Sequence, residues 1–397
     1  MNGFVVLSLA GWAVVVLLAA ALRSRAYAVF RAVTLGVHTG LAIAVAPTFA
    51  PVEPLFWALH ATVYVHSLAL VRPRMRSLAY RALVSLPAAF FAAGTLLALP
   101  WVVLAAFGAD LRLSLVGYGL AAFGLLQSFW TRPEVVDVVV ADGRHTGALT
   151  RHPVGPERSE RPLRLVQITD PHLGPFMSVS RLRGICARAV EHAPDLVVLT
   201  GDFLTMESQG DPNLLAEALQ PLRALPGRVF ACLGNHDHEA PETVRRALHA
   251  NGVRLLVDEA DRVETEAGPV QIVGFDFAWT KRAERMQAVC ERYPREPGTL
   301  RLVLLHDPSA FKHLPEGHAD LVLSGHTHGG QVGLLSLGLP WTMLRVFMNA
   351  PDHGLWARGT DRLYVHRGTG HYGFPLRLGV PAEESLLRVH VGSSPSA

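Results

Sequence analysis

From Gly3 to Leu22 the chain runs twenty residues without a charge, enough at 1.5 Å of rise per helical residue to cross a hydrocarbon core of about 30 Å. A chain that begins this way folds partly in lipid. The composition agrees, since 50% of the 397 residues are hydrophobic and 17% are charged, against about 25% charged in ordinary soluble domains. Met1 and Asn2 supply no basic leader, and further apolar segments follow at once, so the run reads as a retained span rather than a cleaved signal. The next candidates are approximately Ala32 to Ala50, Leu55 to Val71, Ala82 to Gly108 and Leu113 to Trp130.

The arginines set an expected orientation, because short cytoplasmic loops carry the Lys/Arg excess. Arg23, Arg25 and Arg31 lie in the first loop, and Arg72, Arg74, Arg76 and Arg81 in the third. The second loop has no basic residue, and the fourth has Arg112 beside Asp110. Five spans with the N-terminus outside place everything after Trp130 in the cytoplasm. His38, His60 and His66 fall within the spans, where ionisable groups are expensive and merit a functional question. Helix-packing roles are the expected answer.

The net charge of +3 is too small to indicate nucleic-acid binding. Cys186, Cys232 and Cys290 are widely spaced and form no CxxC pair, so buried free thiols are expected rather than disulfides or a thiolate zinc site. From about Pro133 charges, prolines and glycines return, and Val/Leu-rich runs alternate with helical stretches. The organisation read from this is a multi-pass transmembrane region at 1–132, a linker with a first strand at 133–162, one α/β domain at 163–391 and a disordered Ser-rich tail at 392–397.

Several of the apolar runs end in chemically capable residues. Leu163 to Thr169 precedes Asp170-Pro-His172, Leu196 to Thr200 precedes Gly201-Asp202, and Val229 to Leu233 precedes Gly234-Asn235-His236-Asp237. Leu302 to Leu305 precedes His306, and Leu321 to Ser324 precedes Gly325-His326-Thr327-His328. Each motif alone has a plain reading as a turn, a helix cap or a satisfied core histidine. Together they bring two Asp, one Asn and four potential His ligands to strand ends, where ligand sites of α/β sheets gather. Such a set is too rich for one tetrahedral zinc and suits two divalent cations with mixed N/O ligands.

The ordered series Asp-x-His, Gly-Asp, Gly-Asn-His-Asp, His and Gly-His-Thr-His resembles the calcineurin-like metallophosphoesterase superfamily over about Leu163 to Val391. The resemblance implies two packed mixed β-sheets flanked by helices, here preceded by an α-helical transmembrane bundle. It implies that Asp170, His172 and His328 hold one metal, that Asn235, His306 and His326 hold the other, and that Asp202 bridges them. His236 is implied as the catalytic histidine that protonates the leaving oxygen. The metals expected are two divalent ions, with Mn, Fe and Zn all open. The stretch from Tyr364 through Gly370, Pro375-Leu-Arg377 and Pro381-Ala-Glu-Glu384 is similar to the bacterial YkuE-like membrane-linked branch, whose arginine and glutamate carry no chemical role from sequence alone. Gly201-Asp202-Phe203-Leu204-Thr205 departs from the longer protein-phosphatase motif, which argues against that activity.

The expected function is metal-dependent hydrolysis of a phosphate ester, by a phosphodiesterase or pyrophosphatase of a bacterial inner or plasma membrane, using a metal-activated water. Membrane lipid is the expected environment and a lipid-linked phosphate ester a candidate substrate; no protein partner is deducible. The competing class is a membrane sensor that binds nucleotide or phospholipid without cleaving it, for which lost ligands would be the mark.

Overall fold

The computed structural model describes residues 2–140, 146–152, 159–348 and 350–391; the expected tail at 392–397 lies outside the described residues. The chain divides into two units, Met1–Phe129 with Tyr372–Leu378, and Trp130–His371 with Gly379–Ala397.

Among the described residues of the first unit three helical stretches are long and apolar enough to cross a membrane: Gly3–Leu22, Arg25–Ala69 and Leu78–Leu97. Leu111–Gln127 is a shorter apolar helix. The second helix begins at Arg25 rather than near Ala32, because the Ser24 hydroxyl caps it by accepting the Tyr27 N–H at 3.1 Å. Arg25 and Arg31 are therefore helical rather than in a loop. A 3₁₀ turn at Ala46–Val52 joins that helix to Glu53–Ala69. The segment read as Ala82 to Gly108 breaks at Ala98 into Leu86–Leu97 and Leu99–Ala105, next to Pro100, which has no N–H to continue the ladder. Phe4, Phe56, Phe91 and Tyr118 fill the interior of this unit. His38 and His60 are buried within it and stack at 5.4 Å, and His60 Nε2 shares a 3.0 Å hydrogen bond with the Ser8 hydroxyl. The Tyr372–Leu378 segment packs here through Leu376 against Ala93 and Ala121. Its Arg377 N–H donates to the Ser128 hydroxyl at 2.7 Å.

Among the described residues the second unit holds thirteen strands. They are β1 (Thr131–Val140), β2 (Thr146–Arg151), β3 (Leu163–Ile168), β4 (Leu196–Leu199), β5 (Val229–Ala231), β6 (Arg254–Leu255) and β7 (Glu259–Thr265). There follow β8 (Gly268–Gly274), β9 (Leu300–Leu304), β10 (Leu321–Ser324), β11 (Gly354–Gly359), β12 (Asp361–Val365) and β13 (Ala382–Val391). One sheet has the order β1-β13-β3-β4-β5-β6 and the other β2-β11-β12-β10-β9-β8-β7. Both are mixed: β3, β4, β5 and β6 run parallel, as do β8, β9, β10 and β12, while β13 opposes β3 and β7 opposes β8.

Alternation along the strands explains how the two sheets pack. Leu165, Leu196, Val198 and Phe230 of the first sheet meet Ile272, Leu302, Leu304 and Leu323 of the second in one buried cluster. The intervening residues face outward and are buried by helices instead. Val166, Val197 and Leu199 lie beneath Val179–Glu191 and Pro241–Ala250, and Val273, Val303 and Val322 beneath Arg282–Arg292. Strands apolar on both faces read as continuous hydrophobic runs, the pattern seen at Leu196–Leu199 and Leu321–Ser324. The carboxyl ends of these central parallel strands carry the polar motifs.

Candidate metal centre

Asp170 emerges just beyond β3, fully buried. Its Oδ2 accepts the Thr169 hydroxyl at 2.8 Å and the His326 N–H at 2.9 Å. Its Oδ1 has no hydrogen-bond partner and faces His328 Nε2 at 3.5 Å, His172 Nε2 at 3.9 Å and His306 Nε2 at 4.0 Å. Asp202, beyond β4, accepts the His236 N–H on Oδ1 at 2.9 Å. Its Oδ2 lies 3.2 Å from His306 Nε2 and 3.7 Å from His172 Nε2, so this one oxygen addresses histidines of both halves of the site.

The side chains form two clusters of potential ligands, Asp170 with His172 and His328, and Asp202 with His306 and His326. In each, the ligand atoms lie within 4.8 Å of one another. His306 Nδ1 is 2.6 Å from the Thr200 carbonyl, which fixes that nitrogen as the donor and turns Nε2 towards Asp202. His326 Nδ1 sits 3.2 Å from His306 Nε2. Asn235 follows β5, and its amide oxygen is buried without a hydrogen-bond partner.

The backbone at these positions is bent in an uncommon way. Asp170, His172, Asp202, His326 and His328 all have positive φ, between 44° and 64°, a region that side chains other than glycine seldom occupy and that concentrates at functional sites. The bends let Asp170 and His172 converge on one cluster, while His326 and His328 are sent to different ones. Close approach does the rest: a Cβ on Gly234 would lie 2.2 Å from Asp202 Oδ1, and one on Gly325 2.2 Å from Asp170 Oδ2.

The electrostatics call for positive charge. Burial pushes His172 down to about 3 and His326 down to about 4, leaving both imidazoles neutral at pH 7 with a lone pair to offer. Burial opposes charge at His306 too, yet the Asp202 and Asp170 carboxylates outweigh it and lift this histidine to about 10. Buried carboxylates with an unsatisfied oxygen, beside neutral imidazoles, are the donor set that divalent cations take. The residues present thus fit metal ions, on the orphaned Asp170 Oδ1 and Asn235 Oδ1 as much as on the composition of the set.

His236 stands at the rim, its ring centroid 5.5 Å from that of His172. Burial lowers its pKa, but the 2.8 Å hydrogen bond to Glu239 and the Asp202 charge outweigh this, and the net shift is upward. It is therefore biased towards the protonated form.

Sequence reasoning gave no role to three supporting residues that the fold reveals. Asp237 accepts the backbone N–H groups of Asp202 at 2.8 Å, Phe203 at 2.9 Å and Gly234 at 2.7 Å, tying the turns after β4 and β5 together. Arg367 and Glu383 belong to the closing stretch. Glu383 bonds the Arg367 guanidinium at 3.0 Å and its backbone N–H at 3.2 Å, and also contacts the Tyr364 hydroxyl. This holds the loop after β12, whose Thr369 and Gly370 N–H groups donate to the Thr169 and Asp170 carbonyls at 2.8 and 3.0 Å. The signal for Asp237 was present in Gly-Asn-His-Asp, one residue past the histidine; the other two needed the third dimension.

Residues 163–330 match the family model for calcineurin-like phosphoesterases. A phosphodiesterase of Escherichia coli, YaeI, is 30% identical over 57% of this chain and 82% of its own. The chain belongs to the calcineurin-like phosphoesterase family. A Bacillus subtilis metallophosphoesterase, YkoQ, is 33% identical over 49% of this chain and 72% of its own. The UDP-2,3-diacylglucosamine pyrophosphatase LpxG of Chlamydia muridarum is 28% identical over 57% of this chain and 83% of its own. Membership makes the protein a metal-dependent hydrolase of phosphoric esters, and its apolar helices set it among membrane-linked members of such a family. A zebrafish transmembrane protein with a metallophosphoesterase domain, 32% identical over 66% of this chain and 59% of its own, is one.

Proposed function

We propose that the protein is a membrane-anchored phosphodiesterase or pyrophosphatase working with two divalent ions. Asp170, His172 and His328 would hold one ion, Asn235, His306 and His326 the other, and Asp202 would bridge them. The observation that carries this is Asp202 Oδ2, set 3.2 Å from a histidine of one cluster and 3.7 Å from a histidine of the other. Bound there, the ions supply Lewis acidity, a nucleophile available at neutral pH and neutralisation of phosphoryl charge.

The chain's own residues do the remaining work. Thr200 and Asp237 orient His306 and the Asp202 turn before substrate arrives, so the phosphoryl group meets a preorganised site. His236, whose affinity for a proton the Glu239 carboxylate raises, is placed to give a proton to the departing ester oxygen, which makes the alcohol or phosphate a better leaving group. None of these steps requires a covalent bond to the protein. A cytoplasmic catalytic domain and a lipid-linked phosphodiester or pyrophosphate as substrate belong to the same proposal, supported by the arginine distribution and by the apolar helices of this chain.

The test is hydrolysis of a chromogenic phosphodiester and of the matching monoester by the detergent-solubilised full chain, with Mn²⁺ and with chelator. Metal-dependent turnover with the diester preferred supports the reading. Preference for the monoester would replace it with a phosphomonoesterase.

A further inference from the structure

The backbone that carries His326 and His328 continues into an apolar projection. Val332 and Gly333 pair with Thr342 and Met343: the Met343 N–H donates to the Val332 carbonyl at 2.8 Å, the Leu334 N–H donates to the Trp341 carbonyl at 2.9 Å, and a bridge joins Gly333 to Thr342. The projection is anchored on the ligand side. The Thr342 hydroxyl donates to Asp352 at 2.6 Å, and the Asp352 carbonyl accepts the Thr327 hydroxyl at 2.7 Å, Thr327 lying between the two ligand histidines. A Cβ on Gly330 would sit 2.9 Å from Leu344 Cβ. The unit is thus a fixed outgrowth of the metal-ligand loop.

Its outer surface is unlike that of a soluble domain. Leu337 is 74% exposed and Phe347 77%, with Leu339, Trp341, Val346 and Met348 exposed beside them. Large contiguous apolar surface of this kind marks an interaction site. No Asp or Glu occurs between Leu321 and Pro351, and the charged residue in the patch is Arg345, exposed and cationic. Bulky aliphatic and aromatic side chains with a basic residue and no acid suit the headgroup boundary of an anionic leaflet. Lipid is also always at hand, because the same polypeptide carries helices able to cross a membrane and tethering raises the effective concentration of the surface.

We infer that the 334–348 projection docks into the headgroup region of a lipid leaflet and presents the metal centre to phosphoesters lying in that leaflet. The inference deepens the phosphoesterase reading and rests on it for the substrate class. Docking itself needs no turnover. Leu337 and Phe347 enter the acyl boundary, Arg345 meets lipid phosphate, and the short anchored connection to Thr327 keeps His326 and His328 at leaflet height.

The test labels Leu337→Cys and Phe347→Cys, one at a time, with an environment-sensitive fluorophore in the full chain, the three native cysteines being buried. Glu266→Cys, exposed between β7 and β8, is the reference. In vesicles of phosphatidylcholine and phosphatidylglycerol, nitroxide lipids should quench the two projection probes and spare the reference, while aqueous iodide does the reverse. Projection probes quenched by iodide as strongly as the reference overturn the inference. So do probes shielded from both quenchers, which would mean a second copy or another protein covers the patch. In parallel, Leu337→Asp with Phe347→Asp should lower kcat/KM for a vesicle-embedded phosphodiester by about tenfold or more and leave that for a soluble diester unchanged. Equal activity on both esters relative to wild type contradicts it. If the wild type cleaves neither ester the phosphoesterase reading fails, and the quenching result still decides docking.

Discussion

The carboxylate of Asp237 is fastened beneath Asp202, accepting the Asp202 N–H at 2.8 Å while its other oxygen takes the Phe203 N–H at 2.9 Å. A residue outside the proposed ligand set thereby fixes the backbone turn that carries the proposed bridging carboxylate. Partners that orient metal ligands commonly matter about 10- to 100-fold in affinity.

Asp237→Asn turns an NH₂ towards backbone donors and strands at least one of them, at a cost of about 1–3 kcal/mol. The expected result is a lowered thermal midpoint together with weakened metal binding. Calorimetric titration of Mn²⁺ beside a melting curve checks both, and unchanged affinity would remove Asp237 from the account.

Gly325→Ala places a methyl group 2.2 Å from Asp170 Oδ2 and 2.3 Å from the Thr169 hydroxyl. Neither atom can retreat without breaking the 2.8 Å bond between them or moving Asp170. The variant should lose the ion held with His172 and His328 before the other. Elemental analysis showing full occupancy in a folded variant would contradict the arrangement.

His236→Ala should keep its metal and lose turnover by about 10²- to 10⁴-fold, the usual worth of a positioned proton donor. Glu239→Gln should fall between wild type and His236→Ala in kcat, since Glu239 holds His236 at 2.8 Å. A Glu239 variant as fast as wild type would leave His236 without need of its partner.

Glu383 gives a stability prediction with a definite sign. Burial raises its pKa, but His366, Arg367 and the Tyr364 hydroxyl outweigh burial and hold it at about 2, against 4.5 for an ordinary glutamate. A depressed carboxyl stabilises the fold above its unfolded pKa and loses that contribution as pH falls through the folded value. The effect, on the order of 3 kcal/mol by the size of the shift, is therefore present above about pH 4.5 and fades towards pH 2. Glu383→Gln should melt well below wild type at pH 7, and the gap should narrow from pH 5 to pH 3. A gap independent of pH would assign the loss to packing.

How much of this was legible beforehand follows from what each residue needs to be recognised. Strands such as Leu196–Leu199 and Leu321–Ser324 are apolar on both faces, so the runs announce themselves and the polar residues at their ends stand out. The positive φ of Asp170, His172, Asp202, His326 and His328 leaves no mark in sequence, because none is a glycine. Partnerships across the fold were equally hidden. Glu383 lies sixteen residues beyond Arg367 in the chain, and nothing in that spacing states that the pair holds a loop against Asp170. In the helical unit, length and hydropathy revealed the apolar helices, whereas the Ser24 cap and the break beside Pro100 moved their ends. The assignment of Tyr372–Leu378 to that unit required the contacts of Leu376 and Arg377.

The most direct measurement of the central claim is metal content per chain, by elemental analysis of purified wild type, Asp202→Asn and His236→Ala, with diester turnover recorded on the same samples. Two ions in wild type, fewer and weaker in Asp202→Asn, and two with turnover lost in His236→Ala is the predicted outcome. Full occupancy and turnover in Asp202→Asn, or loss of metal in His236→Ala, would contradict it.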